Sequence, residues 1–305
     1  VIKMKEQLDS RQIGNQDPIL TGITGYPFYN TSKFTMKTLK SEIDPLRLKM
    51  NFLEYLGGFS ADVIDIAKKL DLWHAVDRLT ETERLGSIIE KFTSDKINLS
   101  NKPVMDEEGK VLLPALDNHT MGTMFEELLR RFNEENNVTE AGEHFTPRDY
   151  VKLLADLAVV PIADQLCDTT YRIYDGACGT GGILTIAQER IKQLASERGK
   201  DASILIYGQE QAPDTYATCK ADLMISGEIQ SFQYYAGGEP RQYIAYGSTL
   251  SQDGHAGETY DFCISNPPFG TPWKEDLKKR GLTEKEKSKF SDSRFVVTDK
   301  DGQEI

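Results

Sequence analysis

The chain has 305 residues, 28% of them charged and 39% hydrophobic, as expected of a globular protein large enough for two domains. Its formal net charge of −12 excludes a global attraction to nucleic acid, so any DNA contact needs a local basic patch or a basic partner. No apolar run approaches the ~20 residues of a membrane span. The N-terminal stretch Val1-Ile2-Lys3-Met4-Lys5 lacks a signal-peptide core, so a cytoplasmic protein with no membrane contact is expected.

Residues 1–45 are rich in Gly, Thr, Asn and Pro, with weak periodicity, and read as loops and short strands. From Leu46 the pattern turns helical. Leu46, Met50, Leu53 and Leu56 share a face that Gly57-Gly58 ends. Ser60 reads as the N-cap of a second helix with Val63, Ile66, Ala67 and Leu70 on one side. Further helices are predicted over 82–92 and 121–133, with a short strand at 111–113 between them. Residues 1–135 therefore read as a mostly helical domain without a catalytic constellation, suited to partner or DNA interaction. A polar linker over 136–143 opens a second domain, 136–305. Thr146 and Pro147 there read as the cap and first residue of a helix running through Leu157.

After residue 170 the period changes. Strands are predicted at 171–174, 203–207, 243–245 and 260–265, and helices at 183–196 and 213–226. Alternation with short turns predicts an α/β fold, a doubly wound parallel sheet. The cysteines (Cys167, Cys178, Cys219, Cys263) and histidines (His74, His119, His144, His255) are dispersed, so neither a disulfide framework nor a metal site is expected.

Three strand tips carry chemistry. After the first strand comes Asp175-Gly176-Ala177-Cys178-Gly179-Thr180-Gly181-Gly182. It is not a Walker loop, because no Gly-Lys-Ser/Thr follows, and the third glycine is out of place for a dinucleotide fingerprint. Glycines there let the backbone approach a ligand, and Asp175 can pair with a cation. Glu210 ends the next strand, where an acid takes ribose hydroxyls. The ligand implied is a nucleoside with a positively charged arm, and S-adenosylmethionine fits. The fourth strand stops at Asn266-Pro267-Pro268-Phe269, because neither proline has an N–H to donate. That leaves an amide at the tip and a ring three residues on.

These segments, with Tyr207-Gly208-Gln209-Glu210 and Phe145-Thr146-Pro147-Arg148, resemble the modification (methyltransferase) subunit of type I restriction-modification systems, within the adenine-specific DNA methyltransferases. The resemblance implies a Rossmann-like class I methyltransferase sheet. It also implies that Phe145, Thr146 and the turn Asp175, Ala177, Cys178, Gly179, Thr180, Gly181 and Gly182 hold the methionine part of S-adenosylmethionine, and that Glu210 holds the ribose. Asn266 and the Pro267 carbonyl would accept from the target amino group, with Phe269 stacked on the flipped base. Implied partners are DNA, a specificity subunit and a restriction subunit.

Two positions depart from the family pattern: Gly176 stands where Pro is usual, and Ser248, expected near the cofactor adenine, stands where Asp or Asn is usual. The family's sheet has further strands, so the catalytic domain is expected to be incomplete at its C-terminus. Residues 270–305 interleave Lys and Arg with acids and read as a solvated segment. The expected activity is methyl transfer to the adenine amino group in duplex DNA. Two readings stand beside it: a methyltransferase of RNA guanine or protein glutamine, and a cofactor- or partner-binding fragment without turnover.

Overall fold

The computed structural model describes residues 1–100, 102–117, 120–122, 124, 127, 128, 131, 148–228, 233–234, 240–268, 272–289, 292 and 294. The N-terminal part is helical from its first residues. Helices α1 (Ile2–Ser10), α2 (Asp17–Thr24) and α3 (Met36–Lys40) occupy the stretch expected to be loops and strands. The residues read as loop punctuation are helix ends: Pro18 sits in the first turn of α2 and Gly25 closes it. In α3, Thr35 and Thr38 cap each other's backbone N–H groups.

Helix α4 (Pro45–Gly57) starts at Asp44, whose carboxylate accepts from the N–H groups of Leu46 and Arg47. It is followed by α5 (Ala61–Lys69), α6 (Leu72–Glu81) and α7 (Leu85–Phe92). The helix predicted over 82–92 begins three residues later, and α6 was not foreseen. Ser60 precedes α5, but its hydroxyl makes no capping bond and is buried without a partner among the described residues. Leu39, Leu48, Val76, Leu85 and Ile89 form one apolar cluster, drawn from α3, α4, α6 and α7.

Strands β1 (Val104–Met105) and β2 (Val111–Leu113) pair antiparallel. Between residues 120 and 131 the described positions are helical, as the spacing predicts. Beyond them lie α8 (Arg148–Val159), a 3-10 turn (Val160–Gln165), β3 (Thr170–Asp175), α9 (Gly182–Ser196), β4 (Ser203–Glu210) and α10 (Pro213–Ser226). The antiparallel pair β5 (Gln233–Tyr234) and β6 (Pro240–Arg241), then β7 (Ile244–Tyr246), β8 (Phe262–Cys263) and α11 (Lys274–Lys279), follow among the described residues, with a 3-10 turn at Glu284–Lys289.

The main sheet has the order β7-β4-β3-β8, and all its pairs are parallel. From β3 the chain steps outward to β4 and β7, then returns to the other side of β3 as β8. The order therefore reverses between β3 and β8. In open α/β sheets that reversal is where ligands bind, beyond the carboxyl ends of the strands.

Side chains alternate across a strand, and the two faces of this sheet differ. Ile173, Ile204, Ile206, Ile244, Phe262 and Ile264 pack into the large core with α8, α9 and α10. Ile66 of α5 belongs to the same core. Next to it, Lys220 of α10 and Asp62 of α5, each 3% exposed, meet at 2.6 Å, with the Tyr216 hydroxyl 3.2 Å from the same ammonium. Burial raises the Asp62 pKa, and the Lys220 ammonium opposes that shift.

The opposite face carries Tyr174 and Tyr207, covered by Tyr260 and His255. Tyr174 and Tyr260 stack at 4.6 Å, and His255 meets both strand tyrosines edge-on. His255 is buried and donates from Nε2 to the Gly208 carbonyl at 2.8 Å. Residues 272–294, expected to be solvated, fold back where they are described. Leu277 is buried, Arg280 donates to the Leu250 carbonyl and to Asp292, and Arg294 pairs with Asp253 and Asp292. One buried leucine and matched charges anchor the segment, which composition alone did not show.

Candidate functional site at the β3–β8 crevice

Strand β3 ends at Asp175 and α9 begins at Gly182, so the glycine-rich turn is a direct strand-to-helix connection. Gly179 and Gly181 have φ of 56° and 90°, a region L side chains rarely adopt. A Cβ on Gly181 would press within 2.9 Å of the Cys219 sulfur, whereas one on Gly179 would meet nothing within 4 Å. The turn is thus packed from below by α10 and open at Gly179. Cys178 is buried, and its N–H donates to the Gln209 carbonyl at 3.1 Å. Its thiol pKa lies well above the usual range, through a hydrogen bond with Cys219 and through burial. Cys178 therefore holds the turn down rather than facing the crevice.

Asp175 is wholly buried. Its Oδ1 accepts from the Ser265 hydroxyl at 2.6 Å and from the Ala177 N–H at 3.0 Å. Its Oδ2 is buried and has no hydrogen-bond partner among the described residues. Burial pushes the carboxyl up to about 6; the Ser265 and Ala177 bonds oppose the rise and the Glu210 charge adds to it. A buried carboxylate oxygen without a donor is costly, and a cationic group placed against it would remove that cost.

At the next strand tip, Glu210 accepts from the Gly179 N–H at 3.0 Å with one oxygen and from the Ala212 N–H at 2.7 Å with the other. A carboxylate has about four acceptor positions, so both oxygens retain capacity for hydroxyl donors. Beneath it, the buried Gln209 side chain donates to the carbonyls of Gly247 (3.1 Å) and Gln252 (2.8 Å) and accepts from the Gly254 N–H (3.2 Å). That fixes the loop after β7. Ser248 is buried there and accepts from the Leu250 N–H at 3.3 Å. Thr249 donates to the Gly176 carbonyl, and a Cβ on Gly176 would sit 3.3 Å from the Thr249 methyl. Glycine at 176 is matched to this contact.

On the other side of β3, the ladder of β8 covers two residues rather than the predicted six. Backbone bonds nevertheless run from the Asp261 N–H to Arg172 and from the Ile264 N–H to Tyr174, each 3.0 Å. The chain then passes through Ser265 to Asn266, Pro267 and Pro268, all exposed. The Ser265 bond to Asp175 brings this tip against the glycine turn.

The structure thus gathers Asp175, Ala177, Cys178, Gly179, Thr180, Gly181, Gly182 and Glu210 around one end of the sheet, with Ser248 on the β7 side and Asn266 and Pro267 on the β8 side. Phe145, Thr146 and Phe269 lie outside the described residues. Ser265, Gln209 and Thr249 were not singled out by sequence. Ser265 carried a faint signal, as the hydroxyl directly before Asn266, but its partner follows only from strand order. The site fits the cofactor implied by the sequence in its donor set: an acid whose buried oxygen has no partner among the described residues and suits a cation, a second acid with spare acceptors for hydroxyls, and an open glycine between them.

The profile of the N-6 DNA methylase family matches residues 116–303. A type I restriction enzyme methylase subunit (MjaIX) of Methanocaldococcus jannaschii is 31% identical over 149 residues, which are 48% of this chain and 22% of that protein. The MpnII methylase subunit of Mycoplasma pneumoniae is 25% identical over 229 residues, 68% of this chain and 39% of that protein. The chain thus spans well under half the length of these relatives. Among solved structures, the type I restriction-modification system methyltransferase subunit from Streptococcus thermophilus superposes with a TM-score of 0.58 at 16% identity, over 92% of this chain and 51% of that one. That likeness establishes a shared fold.

Proposed function

The chain belongs to the N-6 DNA methylase family, and on that premise we propose that it is the donor-binding and base-clamping part of a type I modification subunit, methylating the exocyclic amino nitrogen of adenine in duplex DNA. The observation that carries this reading is the adjacency of β3 and β8. Asp175, whose buried Oδ2 has no hydrogen-bond partner among the described residues, and Asn266 stand at the ends of these neighbouring strands, joined through Ser265.

When bound, S-adenosylmethionine supplies a methyl group activated by its sulfonium. Asp175 would take the ammonium of the donor's methionine part, which the resemblance also assigns to Phe145 and Thr146, and Glu210 would take the ribose hydroxyls. The adenine amino nitrogen is a weak nucleophile, because its lone pair is delocalised into the ring. The Asn266 side-chain oxygen and the Pro267 carbonyl accept its two hydrogens and favour a pyramidal nitrogen. Its lone pair would then be free to take the methyl group that bound S-adenosylmethionine would supply from its sulfonium, with one amino proton passing to water. Phe269 stacks on the base, which must leave the duplex to reach a strand tip. In this reading residues 1–135 serve partner or DNA contact and 136–305 the transfer itself. A chain of net charge −12 works on DNA inside an assembly with specificity and restriction subunits in the cytoplasm. No helix of the described residues is long and apolar enough to cross a membrane.

The test is transfer of tritiated methyl from S-adenosylmethionine to duplex DNA by this chain with its specificity subunit. Label is expected in N6-methyladenine. Label found only in RNA or protein, or no label although the donor binds, would overturn the reading.

A further inference from the structure

Resting on the donor-site reading above, we propose that Ser265 is a positioning residue for methyl transfer: its hydroxyl orients Asp175 toward the donor's ammonium and ties the donor turn to the Asn266 clamp. Two donors, the Ser265 hydroxyl at 2.6 Å and the Ala177 N–H at 3.0 Å, converge on Oδ1 of Asp175. The terminal torsion of a carboxylate is broad, and two bonds on one oxygen fix the plane of the group. The other oxygen, Oδ2, is left buried and without a partner among the described residues, available to a cation.

The same bond has a second consequence. The β3–β8 ladder comprises the register pairs Ile173↔Phe262 and Tyr174↔Cys263, with the Ile264 N–H to Tyr174 as the next rung. Pro267 and Pro268 have no N–H, so they cannot add rungs beyond Asn266. The Ser265 hydroxyl takes over where the ladder stops. It fixes the residue before Asn266 to the residue that opens the glycine turn. Donor placement and clamp placement then share one bond, as methyl transfer needs when a small misplacement lowers the rate steeply.

The ionisable groups that act on or respond to Asp175 are Glu210 at the β4 tip, Cys178 in the turn and Tyr174 beside it on β3. None is a cation. Burial and Glu210 favour the neutral carboxyl, whereas the bonds from Ser265 and Ala177 favour the charged form. Removing the hydroxyl therefore raises the Asp175 pKa further, and less of the carboxylate is ionised near neutral pH.

The experiment is calorimetric titration of the chain with S-adenosylmethionine from about pH 5 to about pH 8, for the wild type, Ser265→Ala, Ser265→Cys and Ser265→Thr. Wild-type affinity is expected to fall as pH drops through about 6. Ser265→Ala should bind roughly ten- to a hundredfold more weakly near neutral pH, with the midpoint of its pH dependence moved upward. The cysteine variant keeps the volume with a weaker donor, and should move both quantities in the same direction by less. It carries the test should the alanine variant melt without a cooperative transition. The threonine variant, which keeps the hydroxyl, should restore both. A purely structural role for Ser265 would leave the midpoint in place. Wild-type affinity and midpoint in Ser265→Ala and Ser265→Cys, or failure of threonine to restore them, would overturn this proposal while leaving the donor site intact. A wild type that does not bind S-adenosylmethionine would overturn the donor-site reading, and this proposal with it.

Discussion

The two sides of the crevice are built differently. At the tip of β3 the chain is paired with β4 over six residues, and Asp175 is fully buried. The turn beyond it is held by Glu210, Gln209 and the cysteine sulfurs of Cys178 and Cys219. At the tip of β8 the ladder covers two residues, and Ser265, Asn266, Pro267 and Pro268 are exposed. The donor side is thus preorganised by packing. The acceptor side is a short exposed tip, tied to β3 by the two-residue ladder, the Ile264 N–H bond to Tyr174 and the Ser265 hydroxyl bond to Asp175. That division suits the proposed chemistry, since a small donor can be enclosed while a base on a duplex needs an accessible edge. Two substitutions sharpen the contrast by loosening the donor side from beneath.

The larger effect is expected at the foundation of the donor side. Helix α10 carries Cys219 under the glycine turn and is joined to α5 through the buried Lys220–Asp62 pair. Asp62→Ala leaves the ammonium buried without its close partner, and breaking such a pair costs about 3–5 kcal/mol. Asp65, 3.9 Å from the same nitrogen, recovers part of this. Urea unfolding should show the loss directly. An unchanged midpoint would mean that α5 does not brace α10.

A smaller effect is expected within the turn. Gly181→Ala forces a side chain onto a φ of 90° and against the Cys219 sulfur at 2.9 Å. The strain should cost about 1–3 kcal/mol and weaken donor binding. Gly179 shares the positive φ but faces open space, so Gly179→Ala should cost less than Gly181→Ala when the two are compared by thermal unfolding. Equal costs would mean that strain alone, without the sulfur contact, sets the penalty.

Asp175 adds a pH signature of opposite sign to that of most paired carboxylates. Its folded pKa of about 6 lies above the ordinary 3.8, so the native state holds the proton more tightly than the unfolded chain. The protein without donor therefore loses stability from this group as pH rises from about 4 to about 6, by roughly 3 kcal/mol at the upper end. A bound ammonium group reverses the penalty, which is why donor affinity is expected to climb over the same range.

Much of this was legible in the sequence. Pro213 and Gly227 bracket α10 because each sits where helix ends favour it, and the observed bounds match the predicted ones. The acid-and-glycine turn after β3 and the two prolines after β8 could be read directly, because backbone chemistry dictates them. The N-terminal helices could not. Pro18 and Gly25 have the same composition signature in a loop as at the two ends of a short helix. Ser265 and Gln209 were missed for a different reason. Each acts on a segment that lies far along the chain, and only the strand order β7-β4-β3-β8 brings those partners together.

The most direct test of the division between donor side and acceptor side is the affinity for S-adenosylmethionine of two single variants, Asp175→Asn and Asn266→Ala, measured by calorimetry. Asp175→Asn removes the charge proposed to meet the donor's ammonium and should weaken binding by about tenfold or more. Asn266→Ala removes the acceptor proposed for the base, and should leave donor affinity within about twofold of the wild type while methyl transfer is lost. Equal losses of donor affinity in both variants, or a loss confined to Asn266→Ala, would contradict the account.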